Sequence, residues 1–369
     1  MIVALACALL LAAASFAQEA PRREQAGPMD QLLLKDYKPE VSLVVPQTRV
    51  PKAKYAAIDA HSHAYMRTPE QIAAWVRTMD EAGVETTVIL TGATGANFDK
   101  LVELFLKPYP DRFQLYCGID TSNPEAPDYP ERAVAELVRC FRKGARGVGE
   151  VSDKGSGIAR GQAVPPERRL HVDDPRLDPF WAKCGELKLP VNLHIADHPS
   201  AWRPPDQRQE RTPNFQRYNQ WGRNVPGYEE LLAKSERLLQ KQPHTTFILC
   251  HLRNQGNDLA ALAGILDRYP NLYVDISARH YEVGRQPRTA AKFLTRYSNR
   301  VLFGTDLSPT KEMYEGWWRL LETADEFIPG PNWWRHYGLE LPDSVLEPLY
   351  RGNAKRILNW QEVNIKASR

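Results

Sequence analysis

From residue 55 almost to the end, short apolar runs alternate with runs of helical spacing, and this alternation restricts the possible fold more than any other feature. The apolar, strand-like runs are 57–63, 84–92, 113–119, 146–151, 191–196, 245–252, 271–277 and 300–306. Helix-like runs between them include 69–82, 131–143, 176–188, 228–240, 257–268 and 311–326. Leu259, Leu262, Ile265 and Leu266 show the helical period, with Asn257 and Asp258 as candidate caps. Eight strand–helix units in series predict a parallel sheet, and eight is the number that closes a (β/α)8 TIM barrel. The alternative is an open doubly wound sheet, but no Gly-x-Gly-x-x-Gly opens a helix to support a dinucleotide-binding form.

The expected organisation is therefore an α/β chain with one barrel domain over 55–360, although 369 residues would otherwise suggest two or three domains. A composition of 43% hydrophobic and 25% charged residues excludes a disordered or fibrous chain. A net charge of +3 is too small to imply a nucleic-acid partner. Residues 1–17 form an apolar run ending in Ser15-Phe16-Ala17 and read as a signal peptide, though a basic n-region is missing. The run is short for a membrane span, so cleavage and a secreted or periplasmic protein with no membrane anchor are expected. Residues 18–54, rich in Pro, Lys, Arg and Gln, read as an extended arm wrapping the domain. Cys117, Cys140, Cys184 and Cys250 read as buried free thiols.

Polar residues close several of the apolar runs. The first ends in His61 and His63, whose side chains, two apart on a strand, face one side. The fourth carries Glu150, the fifth His194, the sixth His251 and the eighth Asp306. These are the strand ends at which barrel active sites form. Four histidines and an aspartate converging there would be costly to bury without a metal or a charge partner. Imidazole and carboxylate are the usual donors to zinc. Two long connections leave the same face, 152–173 and 197–227, the second with Trp202, Arg203, Arg208, Arg211, Arg217, Trp221 and Arg223. A third, 328–343, carries Trp333 and Trp334 before a final helix near 344–358.

Asp59-x-His61-x-His63, His194, His251 and Gly304-Thr305-Asp306 resemble the amidohydrolase superfamily, in particular the group that includes aminocarboxymuconate-semialdehyde decarboxylase. The terminal Gly352-Asn353-Ala354 adds a weaker match. The resemblance implies that His61, His63 and His194 bind a metal. It makes Asp306 a ligand or general base, and His251 a second-site ligand or acid/base. Glu150 would bridge two ions, support a ligand histidine, or pair with Arg146 or a loop arginine. Asp59 is expected to support the ligands, Asp275 to be structural. Zn2+ is the expected ion, one or two per chain, with Mn2+ or Fe2+ as alternatives.

Arg203, Trp202, His198 and Arg279 are the candidate substrate contacts, because guanidinium groups suit an anionic small molecule. His171, His198 and His280 lie in loops near the expected mouth, His244 lies at the opposite end, and His336 has no assigned role. The first functional expectation is a metal-dependent hydrolase of a C–N, C–O or lactone bond. The alternatives are a decarboxylase or hydratase of a small carboxylic acid and a non-catalytic metal-binding barrel. A homo-oligomer is allowed. With short flanking segments, a barrel without an added β-sandwich is expected.

Overall fold

The computed structural model describes residues 27–158, 164–210, 217–330 and 334–358. The expected signal peptide, Arg211 and Trp333 lie outside the described residues. The chain divides into two compact units, Met1–Val44 and Val45–Arg369. In the first, the described part contains two short 3-10 turns, Pro28–Gln31 and Leu34–Asp36.

The second unit holds eight parallel strands in sequence order: β1 Ala57–Ser62, β2 Val84–Leu90, β3 Phe113–Cys117, β4 Ala145–Asp153, β5 Val191–Ile195, β6 Phe247–Leu249, β7 Leu272–Asp275 and β8 Val301–Leu302. Helices lie between them, as the sequence predicts. The sheet closes on itself where Ala60 N donates to Phe303 O (2.9 Å) and the amides of Thr305 and Asp306 donate to His61 O. This is a single (β/α)8 barrel. The other sheet among the described residues is a two-stranded hairpin, β9 Ile328–Pro329 with β10 Arg335–His336.

Local chemistry sets the element ends. Thr68 accepts the Gln71 amide and Gln71 reaches back to Thr68, so the helix begins at Pro69. Gly83, at φ +80, ends it at Ala82. Asp258, rather than Asn257, caps the helix Leu259–Arg268 through the Ala261 amide. The sixth strand stops at Leu249, sooner than expected, because residues 251 to 254 all adopt positive φ. The expected final helix is broken into Asp343–Glu347, Pro348–Gly352 and Asn353–Ile357.

The barrel interior is packed with Ile58, Ala60, Val88, Leu90, Tyr116, Ile248 and Leu302, joined by Ala354 and Leu358. Each fully buried large apolar side chain contributes roughly 1.5–3 kcal/mol. Asn353 donates from Nδ2 to the carbonyls of Ser298 and Val301, both at 2.7 Å, and so ties the terminal segment to the entry of β8. The polar strand ends therefore collect at the opposite, C-terminal face. Cys117, Cys140, Cys184 and Cys250 are buried and free.

Candidate active site

His61 and His63 leave the end of β1, Glu150 lies on β4 and His194 on β5. His251 follows β6 at φ +59, and Asp306 follows β8 at φ +51. The left-handed backbone at these two positions turns the side chain back over the barrel instead of continuing the strand. The structure thus brings together all six residues expected to bind metal or act in catalysis.

Three imidazoles are aimed by what their Nδ1 touches. Nδ1 of His63 lies 2.9 Å from Leu90 O, and Nδ1 of His251 lies 2.9 Å from Ser277 O. A carbonyl only accepts, so each Nδ1 carries the proton and each Nε2 turns a lone pair inward. Nδ1 of His61 donates to Asp275 Oδ2 at 2.9 Å. Asp275 also accepts the His251 amide at 2.9 Å and the Ser277 hydroxyl. It is therefore the carboxylate beneath two imidazoles, a role the sequence had given to Asp59. Asp59 instead accepts from Thr305 N (3.0 Å), Thr305 Oγ1 (2.7 Å) and His61 N (3.2 Å), which fastens β1 to the turn carrying Asp306.

His194 is turned the other way. Its Nδ1 faces Glu150 Oε1 at 2.6 Å and His251 Nε2 at 3.2 Å, while its Nε2 faces Asp197 Oδ1 at 3.4 Å. Asp197 in turn accepts from Lys154 at 2.8 Å.

These residues fit a divalent ion. His61 Nε2 is fully buried without a hydrogen bond, and lies 3.8 Å from Glu150 Oε1 and 3.9 Å from Asp306 Oδ1. His63 Nε2 lies 3.2 Å from Asp306 Oδ1 and 3.9 Å from Glu150 Oε2. Two donors each about 2.0–2.2 Å from one ion stand roughly 3–4 Å apart. Two of the donor groups share Glu150: His61, His63 and Glu150, and Glu150, His194 and His251.

The electrostatics agree. Burial opposes a charge on His61, but Asp275, Asp306 and Glu150 outweigh it and raise its pKa to about 10. Burial, with His194 nearby, pushes His251 down to about 4. Burial opposes ionisation of Glu150, yet His194, His251 and His61 hold it well below the usual range. Asp306 is likewise held low against burial by His63 beside it and by the His61 and His251 imidazoles. Tyr65 adds a 3.1 Å hydrogen bond to Asp306 Oδ1.

The four expected substrate contacts are engaged elsewhere or open to solvent. Arg279 donates to His251 O at 3.2 Å, to Ala278 O at 2.9 Å and to Asn254, and so supports the turn that carries His251. Trp202 Nε1 donates to Pro226 O at 3.0 Å and its ring packs on Tyr228. His198 accepts the Ser200 amide at 3.2 Å and caps the turn Pro199–Trp202. Arg203 is exposed. His171 donates to Asp153 at 2.8 Å. Sequence reasoning missed Asp197, Lys154, Ser277 and Tyr65; only their places just past strand ends hinted at them.

A barrel with these imidazoles and carboxylates gathered at its C-terminal face is the architecture of a metal-dependent enzyme. The chain belongs to the amidohydrolase family, whose profile matches residues 51–360. No curated protein matches the sequence. Among solved structures, 2,6-dihydroxybenzoate decarboxylase from Rhizobium is similar at 16% identity and TM-score 0.53, over 82% of this chain and 98% of that one. A dihydroxybenzoic acid decarboxylase from Polaromonas, solved with manganese and 2-nitroresorcinol, is similar at 17% identity and TM-score 0.53, over 82% and 97%. An uncharacterized TIM-barrel protein from Bordetella bronchiseptica is 20% identical with a TM-score of 0.51, over 82% and 98%. At these identities the likeness concerns the fold.

Proposed function

We propose that this enzyme is a metal-dependent carboxy-lyase that removes carbon dioxide from a small, anionic carboxylic acid. The observation that carries the reading is the pairing of His251 with Asp306 on one side of the imidazole cluster, Nε2 to Oδ2 at 3.8 Å. The Asp306 side chain keeps 24% exposure while His251 keeps 1%, so the pair joins a wet side to a dry one. The decarboxylases from Rhizobium and Polaromonas support the same reading and favour it over the hydrolase expected first from sequence.

The donors suit manganese as well as zinc, since carboxylates and imidazoles serve both. A bound divalent ion would supply Lewis acidity, drawing electron density from a substrate oxygen. The bond from the carboxyl carbon to its neighbour breaks, the electron pair stays on the neighbouring carbon, and carbon dioxide leaves. Asp306, ionised in the free protein, takes a proton from the substrate's hydroxyl and returns it to that carbon. His251, neutral with its Nε2 lone pair inward, orients the acid from the dry side. The N-terminal apolar run makes export part of this proposal.

Carbon dioxide release and resorcinol formation from 2,6-dihydroxybenzoate and related hydroxybenzoates, by metal-loaded enzyme, test the reading. Loss of turnover on chelation and its return with manganese are expected. Hydrolysis of esters, lactones or amides with no carbon dioxide from any acid would overturn it.

One observation favours hydrolysis as a second reading. Glu150 Oε1 lies near His194, His251 and His61, whereas its Oε2 lies near His63, so the carboxylate could serve two ions if both were bound. Two ions per chain in the wild type, falling to one in Glu150→Gln, would support it. One ion in the wild type would count against it.

A further inference from the structure

The geometry points to Lys154 as the group that receives the anionic head of the substrate. This deepens the carboxy-lyase reading and rests on it for the identity of the acid. On β4 the register with β5 shifts between Val148 and Val151, after which Ser152 pairs with His194. Residues in register on parallel strands share a face, and side chains two apart share it again. Lys154 lies one residue past the end of β4 and two beyond Ser152, at the same end of the barrel as His194.

Its contacts agree with that placement. Lys154 Nζ lies 2.8 Å from Asp197 Oδ1, and the same Asp197 oxygen lies 3.4 Å from His194 Nε2. The ammonium also sits 5.2 Å from the centre of the Tyr218 ring. An ammonium has three donors, and Asp197 takes one. The Lys154 side chain keeps 29% exposure, against 8% for Asp197. The carboxylate is thus a buried anchor for a partly exposed ammonium, which keeps donors that Asp197 does not take. Its own charge is shared with His194, so an arriving anion finds the ammonium only partly neutralised.

Among the described residues, the arginines on the turns after β6 and β7 are engaged. Arg279 is spent on His251 O, Ala278 O and Asn254, and Arg253 is buried on Glu236, Gln255 and Leu232 O. Arg285 is paired with Glu210. A carboxylate held by Lys154 would lie beside His194, with the rest of the molecule directed toward Glu150, His251 and Asp306. A phosphate offers the same chemistry, so the test separates the two.

Equilibrium titration of the metal-loaded enzyme with 2,6-dihydroxybenzoate, resorcinol and inorganic phosphate decides the matter. Resorcinol is the dihydroxybenzoate without its carboxylate. Lys154→Met should weaken dihydroxybenzoate binding at least tenfold and leave resorcinol binding and metal content unchanged. Lys154→Arg should restore most of the affinity. Equal affinity of wild type and Lys154→Met for the acid would overturn the assignment while leaving the carboxy-lyase reading standing. Loss of metal in Lys154→Met would also overturn it, because the lysine would then act through His194 rather than on the substrate. Lys154-dependent binding of phosphate without binding of the acid would keep the assignment and overturn the acid. Failure of the wild type to bind either anion would overturn both.

Discussion

Asp275 governs how two imidazoles meet the centre, because it takes the His61 proton at Nδ1 and the His251 amide. Asp275→Asn should lower metal affinity about 10- to 100-fold, measured by chelator competition, since an amide no longer fixes the His61 tautomer as firmly. His61→Ala with His63→Ala should abolish metal content and turnover together; unchanged metal binding would contradict the assigned ligands. The raised pKa of His61, about 10 in the metal-free protein, gives a pH dependence with a definite sign. Below that value the imidazole is protonated, and binding an ion must expel the proton. Affinity should therefore fall as pH drops from 10 toward neutrality, by up to about tenfold per unit for one proton. Calorimetry in buffers of different ionisation enthalpy should detect about one proton released per ion bound near neutral pH. No release would remove His61 from the ligand set. The candidate ligand residues were legible in sequence because each closes an apolar run. Asp275 was not, since its partner His61 is 214 positions away and only the closed barrel brings them together.

At the scale of elements, the site depends on how strands end. Leu249 leads through Cys250 into residues 251–254, all at positive φ, and Asn254 secures this turn by donating to the carbonyls of Ile195 (3.0 Å) and Ala196 (3.1 Å). Asn254→Ala removes both bonds and leaves buried carbonyls without a donor. Chemical denaturation should show a loss of roughly 2–3 kcal/mol, and turnover should fall as His251 loses its place. Gly304 is a second control point. A Cβ there would stand 2.7 Å from His61 Cβ. Gly304→Ala should displace β1, reducing metal affinity as well as stability. The length of the sixth apolar run, 245–252, concealed the early strand end. Hydrophobic pattern records burial, and a left-handed turn buried at the mouth is as apolar as a strand.

At the scale of the whole molecule, the segment just before β1 is tied to the far end of the barrel unit. Thr48 donates from N and Oγ1 to Asp325, both at 2.7 Å, and Arg319 donates to the same carboxylate. Thr48→Ala should cost about 1 kcal/mol and lower Tm by about 2–4 °C, with metal content untouched. The alternation of strands and helices, and hence the eight-stranded barrel, was readable because periodicity is local and survives in the chain itself. The carboxylates and imidazoles at the strand ends were readable for the same reason. The partners of those side chains were not. Arg279 and Trp202 donate to backbone carbonyls, and Lys154, unremarked in the sequence, pairs with Asp197 beside His194. Which polar atom meets which depends on barrel closure, on the register shift within β4 and on the left-handed turns after β6 and β8. Those are long-range packing outcomes, and a one-dimensional pattern carries no term for them.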